Sequence, residues 1–196
     1  MAPAQRDIQQ PPKTLTYEDY LAEGEVKGRY EIVDGVRCWM TNATVEHMII
    51  AVRIFNEFEA YQEKNPDAIP LPINIDVVTS RAPLRTRQPD AALISRARFG
   101  ERDFSAPSPL DRAPELVVEV RSPSETKPSL LKKMAEYAAV DVQECWIVMS
   151  ETRTLEQWRL SRQEAPLLVD AYSGGQSVAS HAFVGLVLEV SRIFRG

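Results

Sequence analysis

The stretch Leu116-Val117-Val118-Glu119-Val120 constrains this chain more than any other. It has strand length, and its residues are apolar on consecutive positions, so neither face can be turned to solvent. Such a strand must be central in a sheet covered on both sides, which calls for strands and helices in alternation. Glu119 is the exception inside it. An ionised carboxylate buried there costs several kcal/mol unless something offsets its desolvation. Three roles meet that condition: a charge at the strand's mouth reaching water or an arginine, a metal ligand, or a catalytic acid.

The remaining elements fit such a sheet. Thr16 is placed to cap a short helix beginning at Tyr17, with Asp19 three residues on as a capping-box partner. Arg29–Val33 and Val36–Met40 flank Asp34-Gly35, a strong hairpin signal. Thr44 caps a longer helix whose Val45, Met48, Ile49, Val52 and Phe55 recur at helical spacing. Ile50, Ile54 and Phe58 widen that stripe, which predicts a helix packed on two sides. Leu71, Ile73, Ile75 and Val77 alternate with other residues at strand spacing. An Arg-rich connection leads to a second strand at Asp90–Ser95, and a loop with Pro107, Pro109 and Pro114 leads to a third at Glu115–Val120. A helix over Ser129–Val140 and strands at Cys145–Met149, Thr154–Leu160 and Leu167–Tyr172 follow, with Phe183–Val190 readable as strand or helix.

Length and charge narrow the classes. The 196 residues, with no internal repeat, suit one domain over residues 15–196 behind a disordered tail at 1–14. The net charge of -5 excludes a polybasic coat but leaves room for a local basic groove. No run approaches the roughly 18 apolar residues of a membrane span, and MAPAQRDIQQPPK has no apolar signal core. The expectation is a cytoplasmic protein without membrane contact. Cys38 and Cys145 lie in apolar runs and are expected to be buried free thiols, as in a reducing compartment.

Asp90, behind Pro89, opens an apolar strand that can lie beside the strand of Glu119. Alone it reads as a turn cap. Two carboxylates at adjacent strand ends repel each other and favour a hard divalent cation, Mg²⁺ or Mn²⁺. On the next helix Leu130, Met134, Tyr137 and Ala138 define a buried face, with Lys133 on its rim and Lys132 opposite. A rim lysine either reaches the sheet end near Glu119 or is solvated and paired along its helix. Glu31 lies in a hairpin strand, where exposed glutamates are common. His47 is readable as a hydrogen-bonded core histidine, a general base or a phosphate contact, and His181 as structural. Arg81, Arg85, Arg87, Arg96, Arg98 and Arg102 outnumber Asp90 and Glu101 in their window. Such a local excess suits phosphate binding by counterion release, or a solvated charged loop.

Pro89-Asp90, then Glu119-Val120-Arg121 and a lysine on the next helix, resemble the PD-(D/E)xK nuclease superfamily. The segments Tyr30-Glu31-Ile32-Val33-Asp34-Gly35, His47, Arg87-Gln88-Pro89-Asp90 and Pro114–Ser124 narrow the resemblance to its Uma2 branch. Lys133-Met134-Ala135-Glu136-Tyr137-Ala138 and the terminal Ser180, Gly185-Leu186 and Ile193-Phe194 are similar to that family as well. The resemblance implies an α/β (α+β), restriction-endonuclease-like fold. A mixed central sheet would be flanked by helices, with an N-terminal β-hairpin and additional C-terminal strands.

It also implies an endonuclease hydrolysing DNA phosphodiesters with Mg²⁺ or Mn²⁺. Asp90 and Glu119 would be metal ligands, Glu31 a further acidic member and Lys133 the displaced catalytic lysine. Arg121 would be a possible second cation, and a homodimer would suit double-strand cutting. The sequence departs from the family at Ser129, usually Asp, at Asp141, usually Gly, and at Cys145, usually Tyr. Arg121 stands where the superfamily has its lysine and this family an apolar residue. Ser129 and Arg121 support two other readings: a decayed nuclease fold that binds nucleic acid or protein without cleavage, and a hydrolase of another phosphodiester.

Overall fold

The computed structural model describes residues 14–24, 26–40, 43–101, 109–110, 112–123 and 125–195. Nearly all of the expected tail, together with Arg102 and Pro107, lies outside them. Leu15, where the domain was expected to begin, is buried. Thr16 caps α1 (Tyr17–Ala22) with the full capping box, its side chain accepting from the Asp19 amide while the Asp19 carboxylate accepts from the Thr16 amide.

The hairpin follows as β1 (Tyr30–Val33) and β2 (Val36–Trp39), in register from Tyr30 opposite Trp39 to Val33 opposite Val36. Asp34 and Gly35 have φ of 51° and 78°, the left-handed pair of a type I′ turn. A Cβ on Gly35 would also stand 2.9 Å from the Leu15 carbonyl oxygen. Glycine is thus required there twice over.

Helix α2 (Val45–Gln62) is capped by Thr44, and it corrects the two-sided packing expected of it. Ile50, Ala51, Ile54 and Phe58 are buried, whereas Val45, Met48, Ile49 and Val52 stay exposed. The alternation over Leu71–Val77 is not one strand either. It is split between β3 (Ala68–Leu71) and β4 (Val77–Arg81) by a turn in which Asn74 takes a φ of 72°. Pro72 offers no amide to a ladder, and that is the break the alternation concealed.

The Arg-rich connection is itself structured: β4 and β5 (Leu84–Arg87) form a hairpin, and three residues join β5 to β6 (Ala91–Ser95). After the short α3 (Arg96–Phe99) come β7 (Leu116–Val120), α4 (Lys127–Ala139), β8 (Glu144–Met149), β9 (Thr154–Arg159) and β10 (Leu167–Ser173). The final apolar run contributes only β12 (Val187–Glu189), paired with β11 (Ser177–Ala179), before a 3₁₀ turn at Val190–Arg192.

These strands build a six-stranded sheet ordered β10-β9-β8-β7-β6-β3 and a four-stranded sheet ordered β2-β1-β5-β4. In the larger sheet only β7 and β8 run parallel, joined through α4, so the sheet is mixed. All five residues of β7 are buried, as its sequence demands. Its side chains divide by alternation. Leu116, Val118 and Val120 pack with α2 and the C-terminal segment, whereas Val117 packs with Leu130, Met134 and Tyr137 of α4. A third core, centred on Ile32 and Leu84, holds the smaller sheet.

Cys145 is buried, but Cys38 is exposed, because β2 lies at an open edge of the smaller sheet. Asp141 has a φ of 67°, a left-handed conformation that glycine and short polar residues adopt most readily. Among the described residues no helix is long and apolar enough to cross a membrane.

Candidate active site

Ala91 lies opposite Val118 in the antiparallel β6–β7 pair, and Asp90, the residue just before β6, stands beside the end of β7 that carries Glu119. The Asp90 amide donates to the Val118 carbonyl at 2.9 Å, and Asp90 Oδ2 accepts from the Val120 amide at 2.8 Å. Its other oxygen is held by Arg29 Nη2 at 2.6 Å, and His47 Nε2 stands 2.8 Å away without hydrogen-bond alignment. Burial alone would raise the Asp90 pKa. His47, Arg29 and the Val120 amide together outweigh it and hold Asp90 below the usual aspartate range.

Glu119 is 4 % exposed. Its Oε1 accepts from the Tyr137 hydroxyl at 2.6 Å and its Oε2 from Lys133 Nζ at 3.0 Å. Lys133 also pairs with Glu125 at 3.2 Å, while Lys132 is exposed on the opposite face. The helix register inferred from the buried face is thus the observed one. Burial pushes Glu119 up to about 7, with Lys133 and Tyr137 opposing the rise and Asp90 and Glu31 adding to it. Burial works against the charge on Lys133. The carboxylates of Glu119, Glu125 and Glu31 overcome it and hold the lysine well above its ordinary value.

Glu31 is buried rather than exposed on its hairpin, and Arg87 is its partner. The same guanidinium donates from Nε to Glu136 Oε2 at 2.7 Å, so one arginine bridges β1 and α4. This corrects the phosphate-binding role expected of Arg87: the group is committed to two carboxylates inside the protein. Arg85 is paired with Asp34 at 2.6 Å, and the Arg81 guanidinium lies 4.6 Å over the Tyr17 ring. Arg98 donates to the Ala113 and Asp141 carbonyls, and Arg96 to that of Pro66. The sequence excess of arginine is therefore spent largely on internal contacts.

Arg121 turns back to the Glu125 carbonyl, at 3.2 and 3.3 Å, although it lines the same cavity as Asp90 and Glu119. That cavity, about 730 Å³, also takes in Glu31, His47, Lys133 and Ser129. His181 borders a separate buried carboxylate, Glu144, which Trp146, Gln157 and Ser180 satisfy at 2.6–2.7 Å.

Four contributors escape sequence reasoning. Arg29 reads only as the first residue of a hairpin strand. Glu125 precedes its helix. Tyr137 reads as core, and no pattern ties Glu136 to Arg87. The helical period does carry one signal, since Tyr137 lies four residues beyond Lys133 and shares its face.

The raised Glu119 pKa has a measurable consequence for the metal-free protein. Between about 4.5, the ordinary glutamate value, and about 7 the folded chain binds the proton more tightly than the unfolded one. The stability it contributes is complete below that window and is lost as pH rises through it, on the order of 3 kcal/mol. Urea midpoints in metal-free buffer are expected to fall from pH 5 to pH 8 in the wild type. In Glu119→Gln they should fall much less.

A mixed sheet, acids beside two adjacent strands and a lysine on the crossover helix define a restriction-endonuclease-like protein. The family model for Uma2, described as "Putative restriction endonuclease", matches residues 16–191, and the chain belongs to that family. Its fold is also similar to the crystal structure of a putative nuclease belonging to DUF820 from Anabaena variabilis ATCC 29413. The two share 16% identity, with a TM-score of 0.72 over 92% of this chain and 97% of that one. No curated protein matches the sequence.

Proposed function

We propose that the protein is a metal-dependent endonuclease that hydrolyses phosphodiester bonds in DNA. One observation carries the reading: Asp90, just before β6, and Glu119, on β7, open to one cavity, with Lys133 Nζ 3.0 Å from Glu119. Among the described residues no group of three or more acidic, histidine or cysteine side chains is gathered as a metal cage. A hard dication that keeps several waters needs only one or two carboxylates, so the donor set fits Mg²⁺ or Mn²⁺. Asp90 and Glu119 would hold it, and Glu31, paired with Arg87, would add negative potential.

Bound there, the cation would lower the pKa of a water and neutralise charge on the scissile phosphate. The chain's own residues do the rest. Lys133, kept charged by three carboxylates, supplies positive charge where the phosphate oxygens gain negative charge. Tyr137 and Lys133 fix the Glu119 carboxylate in one orientation. Arg29 neutralises Asp90 until a stronger cation competes for it, and His47 stands beside the same oxygen.

The test is incubation of supercoiled plasmid with and without Mg²⁺ or Mn²⁺, alongside Asp90→Ala. Metal-dependent nicking or linearisation that the variant lacks is the expected result. Bound but uncut DNA would favour the decayed-site reading, which the pairing of both carboxylates with protein cations otherwise supports. The same metals are expected to raise the melting temperature by mass action, about 2.7 kcal/mol of stabilisation at a hundred times Kd. Glu119→Gln should abolish the gain.

A further inference from the structure

The side of α2 that the sequence predicted to be packed borders an opening instead. Met48, Val52 and Phe55 of that helix face Pro72, Ile73 and Asn74 of the β3–β4 connection across a cavity of about 580 Å³. Arg29 and Asp90 close its inner end, and both residues also line the acidic cavity, so the two spaces share a wall. Arg29 is fixed there by Asp90 through Nη2, while its Nε is a buried donor with no hydrogen-bond acceptor among the described residues.

A ligand that fits this junction has a negatively charged part at Arg29 and a flat apolar part beyond it. A strand whose phosphate lies at Asp90 and Glu119 brings both. We propose that this cavity receives one nucleobase, unstacked from the strand beside the scissile phosphate; the inference rests on the nuclease reading above. The volume is that of a small-molecule pocket and holds a single base with its sugar. The Phe55 ring and the Met48 and Val52 side chains offer the apolar and aromatic surface on which a base stacks. The exposed Asn74 amide at the rim carries both donor and acceptor for a base edge. Extruding a base costs a few kcal/mol, which this surface offsets.

The experiment places 2-aminopurine in turn at each position around the mapped cut in a DNA oligonucleotide. Fluorescence reports unstacking and anisotropy reports binding. Val52→Trp fills the cavity from an exposed helix position, and Phe55→Ala removes the stacking ring. Expected are a fluorescence rise at one position next to the cut, its loss in Val52→Trp, and about five- to hundred-fold weaker binding in Phe55→Ala. DNA that is bound and cut with no rise at any position, or with a rise that Val52→Trp leaves intact, overturns this inference alone. A chain that neither binds nor cuts DNA with Mg²⁺ or Mn²⁺ overturns the nuclease reading and this one with it. A dimer in sedimentation that Val52→Trp dissociates, without a 2-aminopurine signal, assigns the cavity to a second copy and also overturns it.

Discussion

Arg87→Ala is expected to destabilise the protein by about 3–5 kcal/mol, the loss seen when one partner of a buried ion pair is removed. Two carboxylates depend on this guanidinium, Glu31 from the hairpin and Glu136 from α4, and all three residues are buried. Burial works against the arginine's charge, but Glu136 and Glu31 outweigh it and hold the group more firmly protonated than a free arginine. Without it, Glu31 must protonate or draw in water, and Glu136 keeps only the more distant Arg85, at 3.7 Å. A loss of this size is a large share of a typical domain's 5–15 kcal/mol and would be plain in a urea titration. The triple variant Arg87→Ala/Glu31→Gln/Glu136→Gln should recover much of it, because the uncompensated charges go with their partner. A midpoint unchanged in Arg87→Ala alone would show that solvent already screens the cluster.

Lys133→Met is expected to lower the cleavage rate on the order of a hundred-fold or more while changing DNA affinity little. The reasoning is differential. A cation that meets charge present only in the transition state contributes to turnover and not to ground-state binding. Lys132→Met, on the exposed helix face, should alter neither quantity. Single-turnover rates and Kd measured for the same variants separate the two effects. Activity that survives Lys133→Met but disappears in Arg121→Ala would transfer the role to the arginine beside Glu119, once it has left the Glu125 carbonyl.

What the sequence made legible is local or forced. A capping box, an Asp-Gly turn and a helix face are each set by residues within one or two turns of chain, so Thr16, Gly35 and Lys133 could be placed without any knowledge of tertiary neighbours. The central place of the Glu119 strand was forced, since a strand apolar on consecutive positions must be covered on both faces. Partner choice was not legible. Whether an arginine meets a phosphate or a buried glutamate is decided by elements far apart in sequence, as Arg87 and Glu136 are by 49 positions. The exposed stripe of α2 misled for a related reason: periodicity reports that a face is apolar, not that anything covers it. Leu71–Val77 misled because alternation survives a turn that changes sheets.

The joint between the two sheets is only Gln88, Pro89 and Asp90 long. Arg29 and Glu31 belong to the smaller sheet's side of that joint, and Glu119 and Lys133 to the larger sheet's side. Asp90 therefore acts as the pin of a two-leaf frame, and the angle between the leaves sets how far each charge stands from the others. The smaller leaf packs around Ile32 and Leu84, and Arg87 ties its β1 to α4. Packing far from any reacting atom thus serves as the calibration of the acidic cavity, and drift in that core would be felt first at Asp90.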